Sequence, residues 1–255
     1  MLAEERRQKI QEIIEENGRI TIENIVGKFG VSAVTGRADL DVLAKRGSAM
    51  RSHGGAVRQL NPGVDYPLRF KETIHHAEKV RIGHAAAQLL KPHQTIILDS
   101  GTTTAQVARQ IKASRIRPLT VITNALNVAY ELAETEGVSL IMIGGILRRA
   151  SSSFVGPQAE RMLLDLHADH LFLAVDGLDP DVGFSTPDIL EAHLNTVMIR
   201  VSNEVTIVTD ASKFGRRSLS LIGKIECARR IITDNRVEAP IAEALRERGL
   251  ELVIV

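Results

Sequence analysis

Ile10, Ile13 and Ile14 recur at the spacing of one helix face, which predicts a first helix over Ala3–Glu16. Asn17-Gly18 is a stop signal, because glycine suits the left-handed residue beyond a helix. Thr21 is an N-cap for a second, short helix that carries Ile25, Val26 and Phe29 and ends at Gly30. Ser32 caps a third helix with Leu40 and Leu43 on its inner stripe, and Gly47 ends it. Paired glycines within Met50–Arg58 predict a hairpin. Asn61-Pro62-Gly63 and Tyr66-Pro67 then punctuate a linker.

From Glu72 the pattern changes. A helix over Glu72–Leu90 is expected, then a strand over Thr95–Asp99. Further β-rich runs follow at Leu119–Thr123, Val138–Ile143, His170–Val175, Glu204–Thr209, Ala228–Thr233 and Glu251–Val255, mostly separated by amphipathic stretches. Such alternation implies a mainly parallel sheet covered by helices. The expected fold class is α/β: an N-terminal winged helix-turn-helix domain (1–58), a linker (59–71) and a larger, mainly parallel α/β domain (72–255).

Composition narrows the function. A chain of 255 residues with 44% hydrophobic and 25% charged residues suits two folded domains rather than long disorder. Aromatics are only 3%, so the core must be aliphatic and stacking on single-stranded nucleic acid is disfavoured. A net charge of +1 decides nothing, since only local clustering matters for phosphate contact. The single cysteine, Cys227, fits a reducing compartment. No signal-like segment and no bilayer-length apolar run is visible, so a cytoplasmic location without membrane contact is expected.

Two short helices, a turn at Gly30 and a third helix opening at Ser32 fit a helix-turn-helix. Its second helix enters the major groove with its N-terminal residues at the bases. Ala33, Thr35, Arg37 and Ala38 include the positions free to face DNA. Arg37 can donate two hydrogen bonds to a guanine edge, while Ser32 and Thr35 suit phosphate or base contacts. Lys45, Arg46, Arg51 and Arg58 outweigh Asp39 and Asp41 on the third helix and hairpin. The competing reading is a helical dimerisation module with a solvated charged face.

Val31-Ser32-Ala33-Val34-Thr35-Gly36-Arg37-Ala38-Asp39-Leu40, followed by Arg51-Ser52-His53-Gly54-Gly55-Ala56-Val57, resembles the DeoR-family signature V-S-x-x-T-I-R-R-D-L then R-x-H-G-G-[AV]. Arg6-Arg7-Gln8-Lys9-Ile10 is similar to that family's opening helix. The candidate DNA-binding residues are thus Thr21, Ser32, Thr35, Arg37, Arg51, His53, Gly54 and Gly55. Gly36 and Ala38 depart from the signature's Ile and second Arg. A glycine inside a helix costs about 1 kcal/mol relative to alanine, and a missing buried isoleucine about 1–3 kcal/mol. The double substitution Gly36→Ile with Ala38→Arg is therefore expected to strengthen DNA binding.

Asp99-Ser100-Gly101-Thr102-Thr103-Thr104 follows a strand and opens a helix, where free N–H groups attract a phosphate. Thr123-Asn124, Gly144-Gly145, Asp176-Gly177-Leu178-Asp179 and Asp210–Gly215 end other strands, and ligands of open α/β sheets bind at such ends. Aspartates suit sugar hydroxyls, while Lys213 and backbone N–H groups suit an anion. The stretch from His76 to Asp234 is similar to the DeoR-type sensor domain, itself similar in fold to ribose-5-phosphate isomerase and CoA transferases. That resemblance implies a phosphorylated sugar or sugar-derivative effector. The candidate effector residues are Asp99, Ser100, Gly101, Thr102, Thr103, Thr123, Asn124, Gly144, Gly145, Asp176, Gly177, Thr186, Glu191 and Lys213.

Two functions compete. One is a repressor on a double-stranded DNA operator, acting as a dimer or tetramer and using no cofactor, metal or catalytic residue. The other is a sugar-phosphate isomerase with an N-terminal appendage, using Asp176, Asp179, Glu191 and Lys213. The segment from Ser32 to Val57 favours the repressor, because an isomerase has no use for it.

Overall fold

The computed structural model describes residues 1–52, 54–58 and 65–255. The chain divides into two compact units, Met1–Asn61 with Arg69–His75, and Pro62–Leu68 with His76–Val255.

In the smaller unit α1 (Ala3–Asn17), β1 (Arg19–Thr21), α2 (Ile22–Phe29), α3 (Ala33–Lys45), β2 (Met50–Ser52) and β3 (Gly55–Val57) follow in order. Thr21 and Ser32 cap α2 and α3 by accepting from the Asn24 and Thr35 amides at 3.1 Å each. Gly18 and Gly30 close α1 and α2 with left-handed backbone, φ 78° and 64°. Ile10, Ile14, Ile25, Leu40 and Leu43 form the core at no more than 1% exposure. The sheet has three strands in the order β1-β3-β2 rather than the bare hairpin that the pattern suggested. Three residues are too few for alternation to reveal β1.

Glycine at 36 is a matter of packing. A Cβ there would stand 3.2 Å from Ile25 Cγ2 and 3.9 Å from Ile22 Cδ1, so α2 side chains already occupy the space an isoleucine would need. The expected joint gain from Gly36→Ile with Ala38→Arg therefore separates. Ala38 is exposed and accepts arginine freely. Gly36→Ile alone should destabilise the unit by about 1–3 kcal/mol through overpacking. Thermal unfolding checks this, and a raised midpoint would contradict it.

The expected single helix over Glu72–Leu90 is two: α4 (Leu68–Thr73) and α5 (His76–Ala87). They are interrupted at His75, whose φ of 52° no helix continues. The larger unit then runs β4 (Thr95–Leu98), α6 (Thr102–Ala113), β5 (Leu119–Thr123), α7 (Leu126–Leu132), β6 (Val138–Met142), β7 (Ile146–Arg148), β8 (Ser153–Val155), α8 (Pro157–Leu164) and β9 (Ala168–Leu173). After these come β10 (Gly177–Asp179), β11 (Gly183–Thr186), α9 (Ile189–Arg200), β12 (Ser202–Val208), β13 (Ser220–Gly223), β14 (Arg230–Thr233), α10 (Ala239–Glu247) and β15 (Glu251–Ile254).

Seven strands form one sheet in the order β15-β14-β12-β9-β4-β5-β6, with every neighbouring pair parallel. Ile96, Leu98, Val121, Phe172 and Ile232 point into the cluster on one face, and Ile97, Ile122, Leu171, Leu173 and Ile231 into that on the other. Both faces are thus dry, as a parallel sheet requires. A β7–β8 hairpin and a small antiparallel sheet β10-β11-β13 are added beyond the periodic strands. His170 is a packed core residue, stacked on Phe172 at 4.2 Å and bonded to Thr206 at 2.8 Å.

Candidate functional site

Strand order points to one crevice of the larger unit as the candidate ligand site. From β4 the sheet grows one way through β5 and β6, and from β9 the other way through β12, β14 and β15. The order reverses between β4 and β9, and a crevice opens outside the carboxyl ends of strands at such a point. Leu98 registers with both Thr123 and Phe172, so the loops after β4, β5 and β9 begin at one level.

The β4 loop has the properties of a binding loop. Asp99 is fully buried, and neither carboxyl oxygen completes a hydrogen bond of ordinary geometry among the described residues. Burial pushes its pKa well above 3.8 and the nearby Glu191 charge pushes it further, partly offset by the Ser100 and Ala174 amides. Gly101 has φ 158°, and a Cβ there would stand 2.9 Å from the Ala174 Cβ. No side chain caps α6, so its first N–H groups remain available beside Thr102 and Thr103.

Glu191 comes to this loop from α9, with the Ser100 hydroxyl donating to Oε1 at 3.4 Å. Its Oε2 lies 3.1 Å from Arg148 Nη1. Arg148 also pairs with Asp188 at 3.1 Å and with Asp65. Burial lowers the arginine's pKa, but these three carboxylates more than reverse that. Arg148, Asp188 and Asp65 were absent from the sequence reading. The Gly144-Gly145-x-x-Arg148 spacing carried no hint that the arginine turns inward.

The other candidates make the following contacts within the fold. Lys213 Nζ lies 3.2 Å from Asp176 Oδ1, which joins the loops after β12 and β9. The Thr123 hydroxyl donates to the Leu98 carbonyl at 2.7 Å and accepts from the Ala125 amide, so it locks the strand ends. Asn124 Nδ2 donates to the Phe154 carbonyl at 3.0 Å. Gly177 packs where a Cβ would meet Arg216 O and Ser185 Oγ at 2.6 Å each. Thr186 is buried at the end of β11. Gly144 and Gly145 follow the edge strand β6, two strands from β4, with Gly145 against the Val155 carbonyl.

In the smaller unit, α3 exposes Val34, Arg37, Ala38, Asp41 and Lys45, one continuous stripe at helical spacing. Val34 is 73% exposed and was not singled out from the sequence. The Ser32 and Thr35 hydroxyls bond each other at 2.9 Å, and Thr21 is committed to the α2 cap. Arg51 pairs with Asp41 at 3.1 Å, and Arg46 with Glu4. Asp39 leaves the charge balance of this surface altogether. It is 1% exposed and accepts from Arg6 Nε at 2.6 Å and Arg7 Nε at 2.9 Å, which ties α1 to α3. Gly54 is exposed with φ 76°, whereas Gly55 is buried with Ile20 O only 2.1 Å from where a Cβ would sit. His53 lies outside the described residues.

A capped helix-turn-helix with an exposed third helix and a small sheet, followed by a doubly covered parallel sheet, defines a DNA-binding regulator with an α/β domain. Residues 6–60 match the DeoR-like helix-turn-helix domain, and residues 74–235 the DeoR C-terminal sensor domain. The chain belongs to the DeoR family of transcriptional regulators. It is 40% identical over 253 residues to a putative aga operon transcriptional repressor of Escherichia coli O157:H7, covering 98% of this chain and 93% of that one. It is 34% identical over 253 residues to the HTH-type transcriptional regulator GlpR of Haloferax volcanii, covering 99% and 98%. These relatives are regulators, and the isomerase alternative is set aside. A solved ribose 5-phosphate isomerase A from Methanocaldococcus jannaschii aligns over 55% of each chain at 17% identity and a TM-score of 0.41. A likeness of that size carries nothing about chemistry. Among the described residues no helix is long and apolar enough to cross a membrane.

Proposed function

We propose that the protein is a cytoplasmic repressor of sugar or sugar-derivative metabolism genes, and that a phosphorylated sugar bound at the β4/β9 reversal controls it. The carrying observation is the pairing of opposite chemistries there. The uncapped start of α6 suits an anion, whereas the carboxyl groups of buried Asp99 and nearby Glu191 suit the hydroxyls of a sugar. Ser100, Gly101, Thr102 and Thr103 hold the phosphate end, and Lys213 approaches from the loop after β12. Thr103→Val and Lys213→Ala should abolish the response to sugar phosphate while basal operator affinity stays within about twofold. An effector titration of operator binding checks this, and a wild-type response in both variants removes the site.

On DNA, Arg37 reads a guanine and Val34, one turn earlier, meets a thymine methyl. Paired half-sites make the working form a dimer or tetramer. Arg37→Ala should cost about 1–3 kcal/mol of specific binding in a titration at fixed salt. Unchanged affinity in a folded variant takes Arg37 out of the interface.

A further inference from the structure

We propose that Arg148 is the positioning residue that couples the effector loop to the segment by which the chain leaves the larger unit. For its ligand-bound half, this rests on the effector reading above. Arg148 ends β7 with its side chain only 11% exposed, and its one guanidinium serves three carboxylates from separate parts of the unit.

Glu191 is the link to the effector loop, since its other oxygen receives the Ser100 hydroxyl. Asp188 accepts from the Glu191 amide at 2.9 Å and so fixes the turn of α9 that presents Glu191. Asp65 is the link to the exit. Three residues later the Leu68 amide donates to the Ala150 carbonyl at 2.7 Å, two residues beyond Arg148. Leu68 belongs to the larger unit, and the next residue, Arg69, to the DNA-binding unit. Arg148 and its near neighbour thus hold the chain on both sides of the buried Tyr66, just before it changes units.

One buried cation shared among three anions cannot change its bond to one without changing its bonds to the others. Burial also leaves these bonds little screened by salt. A ligand hydroxyl donated to Glu191 draws down the negative charge facing Arg148, and the guanidinium then binds Asp65 more strongly. Occupancy of the loop is felt as a tighter hold at Asp65 and Leu68.

Hydrogen exchange of the full-length chain tests this at the Leu68 amide, with the β14 amides as reference. Glu191→Gln, which removes that charge without ligand, should slow Leu68 exchange by roughly threefold or more, the scale of coupling between groups in one network. Asp65→Asn should speed it, and in the Asp65→Asn background Glu191→Gln should have no effect. Arg148→Lys keeps the charge but loses the fork, and should also erase the Glu191→Gln effect. No change at Leu68 in Glu191→Gln, or the same change with and without Asp65, overturns the proposal.

Ribose 5-phosphate and fructose 6-phosphate serve as ligand probes. One that raises the melting temperature of the wild type, and not of Thr103→Val, should slow Leu68 exchange in the wild type and leave Asp65→Asn unchanged. Unaltered Leu68 exchange under such a bound probe also overturns the coupling. If neither probe raises the wild-type melting temperature, it is the effector reading that loses support, and the ligand-free comparison still decides the role of Arg148.

Discussion

Asp39→Ala should strip most of the stability from the DNA-binding unit, by about 3–5 kcal/mol, the usual cost of deleting one member of a buried ion pair. The aspartate is 1% exposed and accepts from both Arg6 and Arg7. Its loss leaves the Arg6 guanidinium, at 10% side-chain exposure, without its counter-charge. It also removes the buried polar clamp between α1 and α3 and leaves only the exposed Arg46–Glu4 pair described between them, so α3 loses its fixed aim. Denaturant unfolding followed by helix signal should show an early transition for this unit, with operator binding lost and the α/β unit still folded. Asp39→Asn should fall between the two, because one carbonyl oxygen still accepts. A loss under about 1 kcal/mol in Asp39→Ala would mean that the apolar core alone holds the helices, which is the size expected of an exposed pair.

Asp99→Asn should do the opposite, raising stability while abolishing the effector response. A carboxyl whose folded pKa lies above its ordinary 3.8 gives up its proton sooner in the unfolded chain. The folded state therefore loses relative stability as pH rises from about 3.8 through the folded value, and has no such penalty below 3.8. Asparagine does not ionise, so the variant should lack this slope and be more stable at neutral pH. Each kcal/mol gained corresponds to about 2–4 °C in melting temperature for a domain of this size. Melting temperatures across a pH series, wild type against variant, test the claim, and parallel curves would refute it. A buried carboxyl kept at a cost to folding is what the effector role proposed for Asp99 would require, stability being exchanged for activity.

How much of this was legible beforehand depends on the range of the interaction. Helices α1, α2 and α3, their caps at Thr21 and Ser32 and their stops at Gly18 and Gly30 are decided within a few residues, and the sequence shows them. So are the seven strands of the main sheet, since apolar runs between amphipathic stretches are local patterns. The Asp99–Thr103 loop, the candidate effector site, was likewise visible, because a strand end, a glycine and a helix start are contiguous.

Whatever depends on residues distant in sequence was decided only by the tertiary structure. Asp39 reads as a surface charge until α1, 32 and 33 residues earlier, brings Arg7 and Arg6 to it. Gly36 reads as a defect until Ile25 is seen filling its space. The reversal of strand order between β4 and β9 selects one crevice among several strand ends, and no single segment encodes it. Arg148 meets Asp65 across 83 residues and Glu191 from another helix. Periodicity records which face of an element is apolar, but the partner of a buried charge is chosen only when the elements pack.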